Sequence, residues 1–360
     1  MQTTELEQQT APEQAKRNGF AGAVDWGLAA KAGAMLSPNG PATSRYTAEN
    51  AVAELADAST RAEGPVRAVT GLADGLPVPT ARIVDRVGWI QAAADSMAQL
   101  TGASGADSGW LTGKPAGLQA GAMLAFVSTA ILGQYDPFTG EDGTLLLVAP
   151  NIVAVERALQ VDPSDFRLWV CLHEVTHRVQ FSANPWLADY MRDTVAVLGE
   201  IGDEPVSEVV SRLAGAVRDR RSGGGNDDGT GGILGLLRAT QGPAQREALD
   251  KLLVLGTLLE GHADHVMDAV GPDVVPSVVA IRAAFEHRRK RSVNPLQRLA
   301  RALLGIDAKM AQYVRGKKFV DEIVGRVGMA EFNTIWTGPE TLPRPAEIDE
   351  PGRWVARVLG

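Results

Sequence analysis

His173-Glu174-Val175-Thr176-His177 places two imidazoles and a carboxylate where one turn of helix can hold a divalent cation. Residues four apart stack on one helical face, so both rings can reach the same ion. Glu174, the neighbour of His173, is angled to reach the water that such an ion activates. This is the arrangement of a zinc-dependent hydrolase in which a glutamate serves as general base. With five histidines and twenty glutamates in 360 residues, His-Glu-x-x-His is expected by chance about 0.004 times in such a chain. Coincidence is a poor account of it.

A catalytic zinc takes three protein ligands and keeps a fourth position open, so a partner must come from elsewhere. Leu259-Glu260-Gly261-His262-Ala263-Asp264-His265 is the place to look, since four of the five histidines fall in these two short segments. Glu260 is the expected third ligand to one Zn2+ ion. Asp264, four residues on, shares its helical face and is expected to hydrogen-bond the far nitrogen of a ligating imidazole, fixing its tautomer. His262 competes as third ligand but lies roughly 200° around the helix from Glu260, so the two cannot easily face one metal. Asp264 and His265 remain further alternatives. An oxyanion formed during hydrolysis calls for one more donor, and the candidates are Tyr313, His265 and His262. A half-buried structural role is the competing reading of Tyr313.

The elements that must carry these residues are mostly helical. Asp162 is a good N-cap, Pro163 fits the first helical position and Asp165 answers the helix dipole, so the metal helix is expected from there to about Gln180. Pro243 can start a long helix ending at Gly271, which carries the second cluster. Before these, a helix around Trp26 is expected to end in the Ser37-Pro38-Asn39-Gly40 turn. Thr47 can cap a helix over 48–61, and Thr80 one over 81–100 with Val84, Val87 and Ile90 among its apolar positions. Residues 101–115 read as a loop and 118–133 as a buried core helix. Thr144-Leu145-Leu146-Leu147-Val148 is the clearest strand, and its edge is a candidate for pairing with an extended peptide. Further helices are expected past Pro185 to Leu198 and over 206–217.

Composition narrows the class. The apolar share of 45% supports a sizeable core, and the net charge of −8 with a pI near 5.3 argues against a nucleic-acid surface. The cluster His287-Arg288-Arg289-Lys290-Arg291 reads as a solvated helix C-terminus. One cysteine excludes an intramolecular disulfide, which suits a reducing cytosol and hence a cytoplasmic protein. Cys171, two residues before His173, reads as a small buried apolar residue. The longest apolar run is too short to span a bilayer. Residues 1–18 read as a disordered polar tail without the apolar stretch of a signal peptide, and the Gly-rich run 221–232 as a flexible surface loop.

Taken together the two clusters resemble the gluzincin class of metallopeptidases, in which His-Glu-x-x-His is followed on a later helix by Glu-x-x-x-Asp. More of the chain is similar to a family of bacterial zincin-like proteins regarded as hydrolases, some named for an association with deazaflavin-coenzyme biosynthesis. The likeness runs through Leu145 to Asn151, Leu172 to Phe181, Glu260 to Asp264, Lys309 to Tyr313, Gly316 to Val320 and Asn333 to Trp336. It implies an α+β, predominantly helical fold: a zincin-like metallopeptidase core with a small sheet and helical insertions. The expected organisation is one large domain over 19–360, with a helical part at 19–135, a metal-site part at 136–271 and a helical part at 272–360. Two departures from well-studied peptidases stand out. Arg178 follows the second histidine where an uncharged residue is usual, and about 80 residues separate His177 from Glu260.

The function this implies is zinc-dependent hydrolysis of a peptide or amide bond with Glu174 as general base and a peptide or protein as substrate. A catalytically silent zincin serving as a protein-interaction module is the alternative, and a metal-free helical scaffold is the third reading.

Overall fold

A computed structural model describes residues 24–102, 113–140, 142–199, 242–290 and 306–360, without the side chains at 286–290 and 306–314. The expected polar tail, the Gly-rich run 221–232 and the helix over 206–217 lie outside the described residues. Helices dominate, with one small mixed sheet, so the fold is α+β and predominantly helical. The chain divides into two compact units, one of Met1–Glu200 with Val266–Arg289 and the other of Ile201–His265 with Lys290–Gly360.

In the first unit the order is α1 (Trp26–Leu36), α2 (Arg45–Arg61), α3 (Glu63–Thr70), β1 (Arg82–Val84), α4 (Arg86–Leu100), α5 (Gly113–Val127), β2 (Gly133–Asp136), β3 (Thr144–Val148), α6 (Ala149–Leu159), α7 (Pro163–Ala183) and α8 (Trp186–Gly199). The long helix α9 (Pro243–Val270) ends in this unit, and α10 (Val278–Lys290) follows it. The sheet order is β1-β3-β2. β3 runs parallel to β1 in the register Ile83 opposite Leu147, and antiparallel to β2 with Tyr135 opposite Leu145. The strand found in the sequence is therefore the central one. Its edges are both paired, which overturns the expectation that it offers one to a peptide. Its physical signature is an unbroken apolar run, Leu145 to Val148, buried throughout, as a strand covered on both faces requires.

Three other expectations are corrected. Ser44 rather than Thr47 caps α2, accepting from the Thr47 amide at 3.1 Å. The predicted helix over 81–100 gives up its first turn to β1, because Ile83 and Val84 gain a parallel ladder with β3; helix α4 starts after Asp85, whose carboxylate accepts from Gly88 N at 2.7 Å. The apolar stretch 118–133 splits into the end of α5, a turn and the start of β2. Nor is that helix buried all round, for Leu118, Met123 and Phe126 are exposed. Its packed face is the small one. A Cβ on Gly121 would stand 2.6 Å from Ala29 O and 2.8 Å from Ala32 Cβ, so α5 meets α1 through glycine and alanine and turns its large side chains outward.

Under the sheet, α7 is the buried centre of the unit. Leu172, Val175 and Val179 pack with Leu145 and Leu147 of β3, with Leu55 and Val66 of α2 and α3, and with Val266 and Met267 of α9. As read from the sequence, Asp162 caps α7 by accepting from Asp165 N at 3.0 Å, with Pro163 in the first turn. The Asp165 carboxylate also accepts from Ser277 N at 2.8 Å. Helix α9 ends where expected, before Gly271 at φ 69°.

The second unit holds the earlier part of α9 together with α11 (Ile306–Phe332), the short 3-10 turn Asn333–Trp336, α12 (Pro345–Asp349) and α13 (Pro351–Val358). Helix α11 meets α9 backbone to backbone. A Cβ on Gly261 would lie 2.2 Å from the Gly316 carbonyl carbon, and one on Gly316 would lie 2.1 Å from Thr257 O. Phe319 and Val320, in the next turn of α11, are fully buried, as are Phe332 and Trp354. The Trp354 indole donates to Thr341 O at 2.8 Å. Gly316 to Val320 thus serves packing, holding the segment of α9 that bears Glu260.

At Gly316 the steric conflict is with main chain, which cannot rotate away, and it outweighs the helix propensity gained from a methyl group, about 0.5–1 kcal/mol. Gly316→Ala is expected to destabilise the protein by about 1–3 kcal/mol, read as a lower urea midpoint. A midpoint equal to or above that of the unmodified chain would show that the two helices are not locked by this crossing.

Candidate metal centre

Helix α7 delivers His173, Glu174 and His177 from its middle turns, where neighbouring residues are fully buried and the rings themselves are half-buried. The two imidazoles meet edge to face with centroids 4.8 Å apart, and their Nε2 atoms approach to 3.2 Å. Two nitrogens each bound to a tetrahedral zinc at about 2.0–2.1 Å would be separated by about 3.4 Å. The pair is therefore spaced as ligands of one ion. Glu260 of α9 offers a carboxylate oxygen, and the three ligand atoms all lie within 4.8 Å of one another. Among the described residues no other group of three histidine, cysteine or acidic side chains converges in this way. Two nitrogens and one carboxylate leave a fourth position open, a donor set that fits zinc at a catalytic site.

Two side chains that the sequence reading did not name lie against the rings. His177 Nδ1 lies 2.9 Å from Gln180 Oε1, and His173 Nδ1 lies 3.3 Å from Met267 Sδ. Both partners accept, so each Nδ1 carries the proton and each Nε2 presents its lone pair. Gln180 and Met267 are buried. Sequence reasoning passed over both, although each left a signal: Gln180 is three residues past His177 on one helical face, and Met267 is two turns past Glu260 on another. Asp264, expected in the orienting role, is half-buried on α9.

Glu174 is largely withdrawn from solvent. Its side chain lies against β2, where a Cβ on Gly133 would come within 2.6 Å of Glu174 Cγ, 2.7 Å of Cδ and 3.0 Å of Oε1. Only glycine leaves that space. The approach to Gly133 is fixed by Asn151, whose amide donates to Ser128 O and Ile131 O at 2.6 Å each while its oxygen accepts from Arg86 Nε at 2.8 Å. Trp89 adds a hydrogen bond to Gln134 at 3.0 Å. The Ala-Pro-Asn stretch singled out in the sequence therefore anchors the strand that shapes the place of Glu174. Gly133 itself had seemed the tail of a core helix, and nothing in its local sequence marked it.

Arg178, the unusual cation after His177, is buried and turned away from the rings. Its guanidinium is paired with Glu63 of α3 and donates to Pro79 O at 2.6 Å. Cys171 is fully buried, and that burial, aided by the charge of Glu174, pushes its thiol far up, so it stays protonated. It packs, as expected.

The remaining candidates separate. His265 Nδ1 lies 2.7 Å from Asp321 Oδ1, and Lys317 Nζ reaches the other carboxylate oxygen at 2.5 Å. Burial works to raise the Asp321 carboxyl, but the hydrogen bonds from Lys317 and His265 outweigh it and hold the group below its usual range. His262 is fully buried, its ring 5.4 Å from both Phe332 and Trp336. Tyr313 falls on α11, and its side chain lies outside the described residues.

Comparison with known proteins agrees in kind. A family model described as zincin-like metallopeptidase matches residues 24–355. No curated protein matches the chain. Among solved structures, a Chloroflexus aurantiacus protein named as a candidate hydrolase with a novel fold is similar at a TM-score of 0.64 and 26% identity, over 93% of this chain and 98% of that one. No described helix is long and apolar enough to cross a membrane.

If Gln180 fixes the tautomer of His177, Gln180→Leu is expected to weaken zinc binding by about 10–100-fold, and Gln180→Glu, which retains an acceptor, should bind zinc at least as well as the unmodified chain. Competition against a chromophoric chelator measures both; equal affinity in all three proteins would remove Gln180 from the site.

Proposed function

The chain belongs to the zincin-like metallopeptidase family, and from that premise we propose that it is a zinc-dependent hydrolase cleaving a peptide or amide bond, with His173, His177 and Glu260 holding one zinc ion and Glu174 acting as general base. The observation that carries the reading is the approach of two Nε2 atoms to 3.2 Å with a carboxylate oxygen close by. When bound there, zinc would supply Lewis-acid polarisation of the scissile carbonyl and lower the pKa of water.

The protein's own groups do the rest. Glu174 is shielded from solvent and held against Gly133, so its carboxylate is kept in one place beside the proposed ligands. It takes a proton from the attacking water and returns it to the leaving amine. His265 and Tyr313 are the proposed donors to the oxyanion; the carboxylate of Asp321 beside His265 Nδ1 orients that ring. His262 belongs to the same proposal, though its aromatic surroundings favour packing. Asp264 is proposed to support a ligand as a second carboxylate. Among the described residues β2 pairs only with β3, so its free edge can align an extended peptide.

Glu174→Gln is expected to lower turnover of a susceptible peptide by about 10²–10⁴-fold, with zinc still bound one to one by elemental analysis. An unchanged rate rules Glu174 out as the base, and a zinc-loaded wild type that cleaves no peptide favours the interaction-module reading. Gly133→Ala is expected to reduce kcat by about tenfold or more with little change in KM, because the added methyl displaces the base and not the substrate; a loss confined to KM would contradict this placement.

A further inference from the structure

One turn beyond His177, the end of α7 forms a wall of a cavity of about 230 Å³ in the first unit. Phe181 and Ser182 line it from α7, Tyr135 and Pro137 from β2 and the turn after it, Pro77 and Pro79 from the loop before β1. Its size is informative. A cavity of about 150 Å³ accommodates benzene, and drug-sized ligands need about 300 Å³ or more, so this one suits a single aromatic or branched aliphatic side chain.

The walls are built before anything binds. Arg67 donates to Ala73 O at 2.6 Å, Leu76 O at 2.8 Å and Pro77 O at 3.2 Å, and Arg178 donates to Pro79 O. Two arginines joined through Glu63 thus fasten the loop to the metal helix. Tyr135 and Phe181 are in ring contact at 5.7 Å. The Tyr135 hydroxyl donates to Asp142 O at 2.8 Å, and Gly143, at φ 68°, makes room for it, since a Cβ there would lie 2.3 Å from that oxygen. The phenol's hydrogen is already engaged, and prolines supply much of the rest. What remains open is a mixed surface, with Leu76, the prolines and the two aromatic rings supplying its apolar part and few rotamers to freeze. The exposed carboxylate of Asp142 among the lining residues repels an acidic side chain.

Strand β2 relates the cavity to the base. Gly133 lies on Glu174, and Tyr135, two residues later on the same face of the strand, lines the cavity. That step is about 7 Å, and Glu174 to Phe181 along α7 is about 10 Å. We infer that the cavity is a specificity pocket of the hydrolase, taking an aromatic or branched aliphatic side chain of the substrate two or three residues from the cleaved bond and rejecting an acidic one. This rests on the hydrolase reading above.

The test is a set of quenched fluorescent peptides carrying Phe, Leu, Ala or Asp at each position in turn. At one position two or three residues from the bond, kcat/KM should favour Phe or Leu over Ala by about tenfold or more, with Asp poorest. Ala188→Trp, which fills the cavity from α8, should lower kcat/KM for the Phe peptide at least tenfold and leave the Ala peptide within twofold. Leu76→Lys, on an exposed loop side chain, reads the same pocket should Ala188→Trp not fold, and should make the Asp peptide acceptable. A Phe-to-Ala ratio identical in the wild type and the folded variants overturns the pocket. If zinc binds and no peptide is cleaved, the hydrolase reading fails, and the pocket is judged by binding. Saturation-transfer NMR with acetyl-Ala-Phe-Ala-amide should show the Phe ring held by the wild type and released by Ala188→Trp or Leu76→Lys. No transfer to the ring in the wild type, or equal transfer in all, ends the inference.

Discussion

Two imidazole nitrogens 3.2 Å apart on one helical face impose the conditions that the surrounding structure meets. Lone pairs that close repel unless a cation or a shared proton sits between them, so the rings must be held from behind. Gln180 and Met267 do this at the two Nδ1 atoms. The helix that bears the rings must in turn be unable to roll. Its start is capped by Asp162, its apolar residues are locked against β3 and α9, and its far end is fastened by the buried pair Arg178 and Glu63. Removing one partner of such a pair strands a buried charge at a cost of about 3–5 kcal/mol. The fastening is thus stiff, though an apolar pair could match it in stability.

Close approach of main chains is the second theme, and glycine makes it possible at three places. Gly121 lets α5 press on α1, Gly316 and Gly261 let α11 press on α9, and Gly133 lets the Glu174 carboxylate lie on β2. The first two are packing devices of the kind small residues provide wherever helices cross closely. The third places a catalytic candidate. A side chain at 133 would push Glu174 off the strand, while the metal ligands, on other turns and another helix, would keep their positions.

The sequence made the helices of the site legible because their signals are local. Asp162-Pro163 and Pro243 to Gly271 set the limits of α7 and α9, and four-residue spacing put both histidines on one face. Glu260 was legible for a different reason: the two histidines require a third ligand, and the chain offers few acids beside other metal-binding residues. What stayed hidden depends on partners distant in sequence. β1 reads as helix until β3 is there to pair with it, and α5 reads as core until its glycines are seen against α1. Gly133 and the Glu63–Arg178 pair carry no motif at all; their meaning lies in contacts spanning from about 40 to more than 100 residues.

Arg178 shows how a departure from a family pattern can be neutral to the chemistry. A cation beside the second histidine would oppose the binding of another cation if its charge faced the rings. Here Glu63 cancels it within hydrogen-bond distance, and the guanidinium is used to hold the loop at Pro79. The orienting partner of His177 follows the same electrostatic logic. A carboxylate would add negative charge to a site that already contains Glu260 and has Glu174 beside it, reducing the positive charge left on a divalent ion. The amide of Gln180 fixes the tautomer and contributes no charge. With a neutral acceptor behind His177 and the arginine cancelled, a divalent ion held by His173, His177 and Glu260 would keep positive charge, which is what polarising a carbonyl requires.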